Sequence, residues 1–394
     1  MRSSPPFGPF GRDNSLKEET VGFIGHAARE WQLGALANRF TIGTELRRAT
    51  TEQYSAGYDN CSPRIFACRM LHTNQADAPK VDGAAFGIFA ENEFGLMDGR
   101  FRITPGLRYD WYEEEPELTA EFSRNPSFRG LPPSSSNDAF SPKLLVEYDL
   151  VPDLTVFAQY TRGFRAPTAG ELYAQFGGPG TYLRIGNPEL DPELSDGFDV
   201  GLRLERETFG AHVTLFHTAY ENFVEVVQIA RPGGEYPLGG ISSLENVPDA
   251  RISGVELGGH VRFADFWTAR GSLAYAEGRN RTRDVWLNSV SPLTAILGLG
   301  YDREHWGAEV SAKLAAKRDK VSGNGFEAPS YGVVDLTAWV EPEGLPGLKI
   351  AGGVFNVFDE TYYDAVSVPL SRSQPDAYYS EPGRSFKVNV SYRF

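Results

Sequence analysis

Apolar and polar residues alternate along this chain with a period of two. In the segment from Phe386 to Phe394, Phe386, Val388, Val390, Tyr392 and Phe394 fall on one side. Lys387, Asn389, Ser391 and Arg393 fall on the other. The same alternation runs through 198–204, 255–263 and 308–314. Period two is the signature of β-strands with one apolar face. The opposite face carries Lys, Arg, Glu, Asn and Ser at regular spacing. That arrangement suits a sheet with lipid on one side and water on the other, although a soluble sandwich alternates in the same way.

Loop lengths separate the two architectures. Short turns are predicted near 33–37, 96–99, 151–153, 208–210, 264–266, 302–305 and 343–347. Long connections are predicted near 50–81, 113–137, 165–192, 230–249, 278–289, 318–328 and 360–382. The two kinds take turns along the chain. Outer-membrane barrels have short periplasmic turns and long outer loops, whereas a sandwich has no reason to sort its loops so. The expected fold is therefore all-β: an antiparallel transmembrane β-barrel.

Counting between these connections gives about 15 strands, and a large receptor barrel has about 22. The barrel is thus expected to be incomplete, with its first strand near 21–31 and its C-terminus on the periplasmic side. The expected division is a polar segment over 1–18, read as an outer loop, and barrel over 19–394. The first twenty residues hold no basic stretch followed by an apolar core, so no secretory signal opens the sequence. A barrel must be exported, which places the expected natural start upstream.

Aromatic residues fit the two membrane edges. Phe263, Phe266, Trp267 and Trp306 gather at short turns, and Tyr109, Trp111 and Tyr112 stand where a strand meets a long loop. Amphipathic rings favour such interfaces. No run approaches the roughly 20 apolar residues of a membrane helix. The net charge of −14 argues against nucleic acid, which selects clustered cations.

Cys61 and Cys68 are the only cysteines. Their closeness, at a cell surface, points to one loop-closing disulfide; two free thiols in a cytosolic protein are the alternative. No metal site is expected. The acidic run Glu189, Asp191, Glu193, Asp196 and Asp199 lacks the ligand spacing of a Ca²⁺ loop and reads as a solvated rim. The chain has no Gly-x-Ser-x-Gly elbow, no His-Glu-x-x-His and no phosphate-binding Gly-Lys loop, so no enzyme is expected.

Four motifs in a fixed order carry a resemblance. They are Phe164-Arg165-Ala166-Pro167, then Asn187-Pro188-Glu189-Leu190, then Asn246 to Ala250 with Ile252, Gly254, Val255 and Glu256, then Asn356, Phe358, Asp359 and Tyr362. Phe394 ends the chain on an aromatic residue. Over 82–394 this resembles the C-terminal barrel of TonB-dependent outer-membrane receptors. The first two motifs look like that family's paired barrel boxes. Physically, Pro167 cannot continue a ladder, and Asn187-Pro188 favours a turn, so shaping a loop is the first reading of both boxes. Contact with a substrate is the second.

The resemblance implies an importer in the bacterial outer membrane. Outer loops capture the substrate, an N-terminal plug, expected to be absent from this chain, blocks the lumen, and the TonB complex pulls on it. Outer-membrane lipid surrounds the barrel, and barrel-assembly machinery reads the terminal Phe394. The stretch 68–77 and the two-box spacing resemble haem and haemoglobin receptors. Those carry a His between the boxes, but 168–186 has none. Tyr173 and Tyr182 are the candidate iron ligands there, since a phenolate binds ferric haem. His72 is a further candidate; a lone loop His is usually solvated. His212, His217 and His260 lie on strands as lumen or packing residues. The cargo expected is haem, alone or from a haemoprotein, with ferric siderophore as the alternative and no intrinsic cofactor. A plugless porin or adhesin is the rival of another class.

Overall fold

The computed structural model describes residues 12–57, 74–368 and 375–393. Cys61, Cys68, His72 and Phe394 lie outside them. The strands in chain order are β1 (Arg12–Leu33), β2 (Leu36–Gly57), β3 (Lys80–Leu96), β4 (Phe101–Glu117), β5 (Ser135–Val151), β6 (Leu154–Arg165), β7 (Gln175–Gly177), β8 (Tyr182–Ile185), β9 (Glu193–Glu205) and β10 (Phe209–Glu221). They continue as β11 (Phe223–Ala230), β12 (Gly240–Val247), β13 (Ala250–Phe263), β14 (Trp267–Asn280), β15 (Val285–Trp286), β16 (Thr294–Asp302), β17 (Trp306–Ala315), β18 (Tyr331–Val340), β19 (Leu348–Phe355) and β20 (Ser385–Tyr392). Two short helices, α1 (Ala120–Ser123) and α2 (Ala169–Tyr173), lie in long connections.

Fifteen strands form one continuous antiparallel path, β1-β2-β3-β4-β5-β6-β9-β10-β13-β14-β16-β17-β18-β19-β20, with β15 added on β14. Every pairing along the path is antiparallel. Every hairpin is short at one end of the sheet and long at the other, as the sequence predicts. Among the described residues, β1 and β20 each pair on one side only. The strands are thus an incomplete barrel. Unpaired backbone groups in lipid cost several kcal/mol each, so both edges need further strands beside them in a membrane.

Register converts the alternation into two surfaces. Val156, Leu202, Val213, Leu257, Leu273, Ala295 and Leu314 stand opposite one another in turn across seven neighbouring strands. This row is apolar throughout, and Leu202, Leu257 and Leu314 are exposed. One residue along, the row reads Thr155, Arg203, His212, Gly258, Ser272, Ile296 and Lys313. Only Ile296 departs from polar or small character. Apolar side chains without protein cover face lipid; the adjacent row faces a wet lumen.

The lumen face is held by ion pairs across strands. Arg102 donates to Asp149 at 2.7 Å and to Glu147 at 3.3 Å, and Arg203 donates to the other Glu147 oxygen at 2.9 Å. Lys143 pairs with Glu91 at 2.6 Å. On the lipid face, at the short-turn end, Trp267 stacks on Phe263 at 6.4 Å and meets Tyr301 at 4.9 Å. Trp306 lies 5.1 Å from Tyr301. These rings form the expected belt.

One boundary is corrected. Residues 12–18, expected within an outer loop, are paired strand: Arg12 stands opposite Gly57 and Glu18 opposite Thr51. Twenty-two residues reach about 75 Å at ~3.4 Å each, far beyond the 9–11 residues that cross a bilayer. This part of β1 stands clear of the lipid with water on both faces. Its Arg-Asp-Asn-Ser-Leu-Lys-Glu sequence therefore needs no apolar side, and pairing with β2 is fixed instead by contacts such as Ser15 donating to the Tyr54 carbonyl at 3.2 Å.

Candidate functional site

The long connections do not lie as separate loops. Four of them, 74–79, 118–134, 166–192 and 222–249, pack into one cap above the strands between β2 and β13. Its centre is a second, smaller sheet in the order β11-β12-β8-β7, in which β12 and β8 run parallel. That parallel pair joins the connection after β6 to the one after β10. A small core of Val81, Leu172, Tyr173, Leu190 and Leu244 lies beneath it.

The first box closes the neck of this excursion. Arg165 ends β6 and stands opposite Glu193 at the start of β9. Its guanidinium donates twice to the Glu193 carboxylate, at 2.8 and 2.7 Å, and once to Glu171 at 2.8 Å. Glu193 also accepts from the Val224 amide at 2.8 Å, which ties in β11. Phe164 stacks on Tyr112 at 6.2 Å. Pro167 ends the ladder and is buried, and Ala166 is half-buried. Thr168 then starts α2 with a capping box: its hydroxyl accepts from the Glu171 amide, and its own amide donates to the Glu171 carboxylate at 2.8 Å. Burial would raise the Glu171 carboxyl, but Arg165 and Thr168 outweigh it and hold the group below its ordinary range.

The second box fastens the returning chain. The Asn187 amide donates to the Glu171 carbonyl at 2.9 Å, and its side chain donates to the Leu244 carbonyl of β12 at 3.0 Å. Its side-chain oxygen accepts from the Glu189 amide at 3.0 Å, closing an Asx turn across Pro188. Leu190 is buried in the cap core. Just before the box, a Cβ on Gly186 would meet the Leu172 carbonyl at 2.6 Å, so only glycine fits there. The third motif supplies Asn246, which accepts from the Asp191 amide at 2.9 Å and donates to its carbonyl at 3.0 Å. The hydrogen bonds of both boxes thus fasten loop segments to one another.

Asn125 extends the fastening to the connection after β4. It is buried and donates to the carbonyls of Ala76 at 3.0 Å and Gln175 at 2.7 Å. A second cluster joins the connections after β17 and β19. Phe326, Ala328, Ala365 and Val368 form its core. Buried Arg318 donates to the carbonyls of Phe326 at 3.1 Å, Ala365 at 2.9 Å and Asn288. Arg283 joins the two clusters by pairing with Glu225 at 3.9 Å and with Glu245. Below the second cluster a cleft of ≈ 420 Å³ opens on the lumen side, lined by Ile296, Lys313, Tyr331, Tyr363 and Asp364 among others.

The fourth motif closes the last long connection. Asn356 is buried in the left-handed region, φ 52°, and its side chain donates to the Glu360 carbonyl at 2.8 Å and accepts from the Glu360 amide at 2.8 Å. Asp359 accepts from the Arg384 amide at 2.7 Å. Tyr362 packs on Tyr331 at 4.8 Å, and Phe358 is exposed.

One candidate ligand is corrected. Tyr173 is 1% exposed and its hydroxyl donates to the Glu114 carbonyl at 2.9 Å. Burial, and then the nearby Glu114 charge, push the phenol up to about 12. A buried, protonated, hydrogen-bonded phenol is a packing residue. The sequence could not show this, because it depends on contacts with a strand 59 residues away. Tyr182 is only partly buried and packs on Phe176 at 5.8 Å. His212 and His260 share the lumen face, while His217 lies on the other face beside the Ser253 hydroxyl at 2.7 Å. Of the acidic run, Glu193 is taken by Arg165, and Asp196 by Arg162 at 2.8 Å and Tyr160 at 2.7 Å. Among the described residues no group of three or more His, Cys, Asp or Glu is placed to hold a metal.

A family model described as "TonB dependent receptor-like, beta-barrel" matches residues 2–357. The chain belongs to that family. Its place is the bacterial outer membrane, where such barrels stand. A hemoglobin and hemoglobin-haptoglobin-binding protein of Haemophilus ducreyi is 27% identical over 63% of this receptor barrel and 31% of its own length. Hemoglobin-haptoglobin utilization protein B of Neisseria meningitidis is 24% identical over 84% of the barrel and 47% of its own length. The ferrienterobactin receptor of Escherichia coli is 25% identical over 80% and 43%. The chain thus spans less than half of these relatives. Among solved structures, "Copper transporter OprC" aligns with a TM-score of 0.74 at 20% identity, over 99% of this chain and 59% of that one. The ferric enterobactin receptor of Pseudomonas aeruginosa aligns at 0.66 and 21%, over 97% and 54%. At that identity both speak for the fold. The relatives are receptors and transporters, which points away from catalysis.

Proposed function

We propose that this chain is the C-terminal barrel part of a receptor that imports an iron complex across the outer membrane, with haem, free or taken from a haemoprotein, as its cargo. The observation that carries the reading is the extent of likeness to proteins named for hemoglobin binding or hemoglobin-haptoglobin utilization, which reaches 63% of the chain in the Haemophilus protein and 84% in the Neisseria protein. The fastened outer cap supports it. A surface meant to engage a bulky ligand gains affinity when its loops are ordered beforehand. Import further requires a plug and the TonB complex acting on it, so both are partners in this reading. Ferric siderophore is the second reading, favoured by the likeness to the ferrienterobactin receptor over 80% of the chain.

Titration of the full-length receptor in detergent with ferric haem, followed by absorbance, tests the proposal. A saturable shift of the haem band at one equivalent is the expected result. Saturable binding of a ferric catecholate with no haem binding would overturn it in favour of the second reading.

A further inference from the structure

The antiparallel ladder has a notch at the outer end of β14. This strand pairs with β16 only as far as Ala274 and Thr294. Beyond Ala274 it runs on to Asn280 and carries β15 instead, with Arg279 opposite Trp286. The segment 287–293 and the chain leaving β17 close the gap around a cavity of ≈ 250 Å³. The strand sets its height. A β-strand crosses a bilayer in 9–11 residues, which from the belt residue Trp267 reaches Tyr275 to Glu277. Tyr275 stands opposite Val255 and continues the lipid row of Leu273. Leu293, just before β16, has the same parity as Ala295 of that row and is exposed. The notch therefore lies at the outer edge of the lipid.

Cations gather in its walls. Lys320 donates to the Tyr275 hydroxyl at 3.0 Å, pairs with Glu277, and lies 5.3 Å from the centre of the Trp286 ring. Lys317 is exposed and forms no ion pair among the described residues. Arg318 also lines the cavity and is 3% exposed. All its hydrogen-bond acceptors are backbone carbonyls, and its Nε has no partner. The Asp364 charge acts on it only through space. Carbonyls satisfy N–H groups but do not neutralise a charge, and a buried charge is costly unless paired. Glu277 and Asp319 are the acids in the same walls, so the cations outnumber them.

We infer that this notch seats the phosphate-bearing headgroup of an outer-leaflet lipid. The phosphate oxygens accept from Lys317 and Lys320, bonds strengthened by charge on both sides, and their charge offsets that of Arg318 in the wall. The carbons beside the phosphate lie on Val290, Leu293 and the Trp286 ring, a ring type suited to the membrane edge. The cavity is small against the roughly 300–1,000 Å³ of sites for drug-sized ligands, so it fits one headgroup unit and not an imported cargo. The inference stands whichever iron complex is imported.

The test uses the full-length receptor in detergent, with bisphosphorylated lipid A, its fully dephosphorylated form and inorganic phosphate as probes, and native mass spectrometry as the readout. Wild type is expected to retain one bisphosphorylated lipid in preference to the dephosphorylated one. Lys317→Gln, at an exposed position that leaves the fold intact, is expected to weaken the phosphorylated lipid by about tenfold, the scale of one charge-assisted bond, and to leave the dephosphorylated one unchanged. Lys320→Gln is expected to do the same. Lys80→Gln, which removes an equal charge at the outer end of β3, is expected to change neither. The inference is overturned if wild type holds the two lipids equally, or if Lys80→Gln weakens the phosphorylated lipid as much as Lys317→Gln does. It is also overturned if neither Lys317→Gln nor Lys320→Gln alters retention. Saturable binding of inorganic phosphate, lost in Lys317→Gln, with no preference between the lipids would overturn the lipid as the source of the anion.

Discussion

Arg165 and Glu193 face each other across the neck of the connection between β6 and β9, joined by two parallel hydrogen bonds of 2.8 and 2.7 Å. Every chain entering or leaving that part of the cap passes this pair. Because Glu193 also holds the Val224 amide and Arg165 also holds Glu171, the pair ties three segments. Arg165 is 42% exposed at its side chain, so screening limits the effect on global stability to about 1 kcal/mol. The local effect is larger. Arg165→Ala is expected to speed amide exchange across 168–190 while the β9–β10 hairpin keeps its protection. Arg165→Lys is expected to restore little, since an ammonium cannot make the fork. Hydrogen exchange read by mass spectrometry checks both.

Tyr173 separates packing from ligation. Tyr173→Phe keeps the ring in the core with Leu172 and Leu190 and loses one bond to Glu114, a cost of about 1 kcal/mol. Tyr173→Ala opens a cavity and costs about 3–5 kcal/mol. Thermal unfolding of the two variants should rank them in that order, and haem absorbance in the phenylalanine variant should match wild type. Loss of that absorbance on Tyr173→Phe would reinstate it as a ligand.

The start of α2 should respond to acid. The Glu171 carboxyl lies below its ordinary value in the folded cap. A depressed carboxyl stabilises the fold above its unfolded value, and this contribution is lost as pH falls through the folded value. Protection of the Thr168–Glu171 turn, corrected for intrinsic exchange, is therefore expected to hold from neutral pH down to the ordinary carboxylate range and to fall below it. In Glu171→Gln the fall should disappear. Unchanged acid sensitivity in that variant would assign the effect to another group.

Much of this was legible because a membrane sheet writes its two solvents into adjacent residues. Leu257 and Gly258, or Phe386 and Lys387, differ as lipid and water differ, and the turn at 264–266 lies between Phe263 and Trp267 as a belt requires. Where that contrast vanishes, so does legibility. Residues 12–18 stand above the lipid and lack an apolar face, so no alternation marks them as strand. The small sheet of β7, β8, β11 and β12 is equally hidden, because its parallel pair joins segments that only the surrounding barrel brings together. The roles of Asn125 and Arg318 are hidden for the same reason: each donates to backbone carbonyls of distant segments, which leave no trace in side-chain pattern.

Adjacent substitutions on β17 expose the two faces directly. Val310 lies on the lipid row and is exposed; Ser311 lies on the lumen row opposite Asp335. Val310→Lys is expected to cost about 2–4 kcal/mol near the bilayer midplane and to lower the yield of assembled barrel. Ser311→Lys finds water and a carboxylate and should assemble like wild type. Heat-modifiable mobility on gels reads the assembled fraction.

The claim beneath all of these is that one face of a continuous sheet touches lipid and the other touches water. Nitroxide labels placed singly at 254–261 of the full-length receptor, in native outer membranes, test it most directly. Labels at 255, 257, 259 and 261 should be relaxed by oxygen dissolved in lipid, and those at 254, 256, 258 and 260 by a water-soluble paramagnet. Accessibility without a period of two, or with every label reached from water alone, would contradict the account.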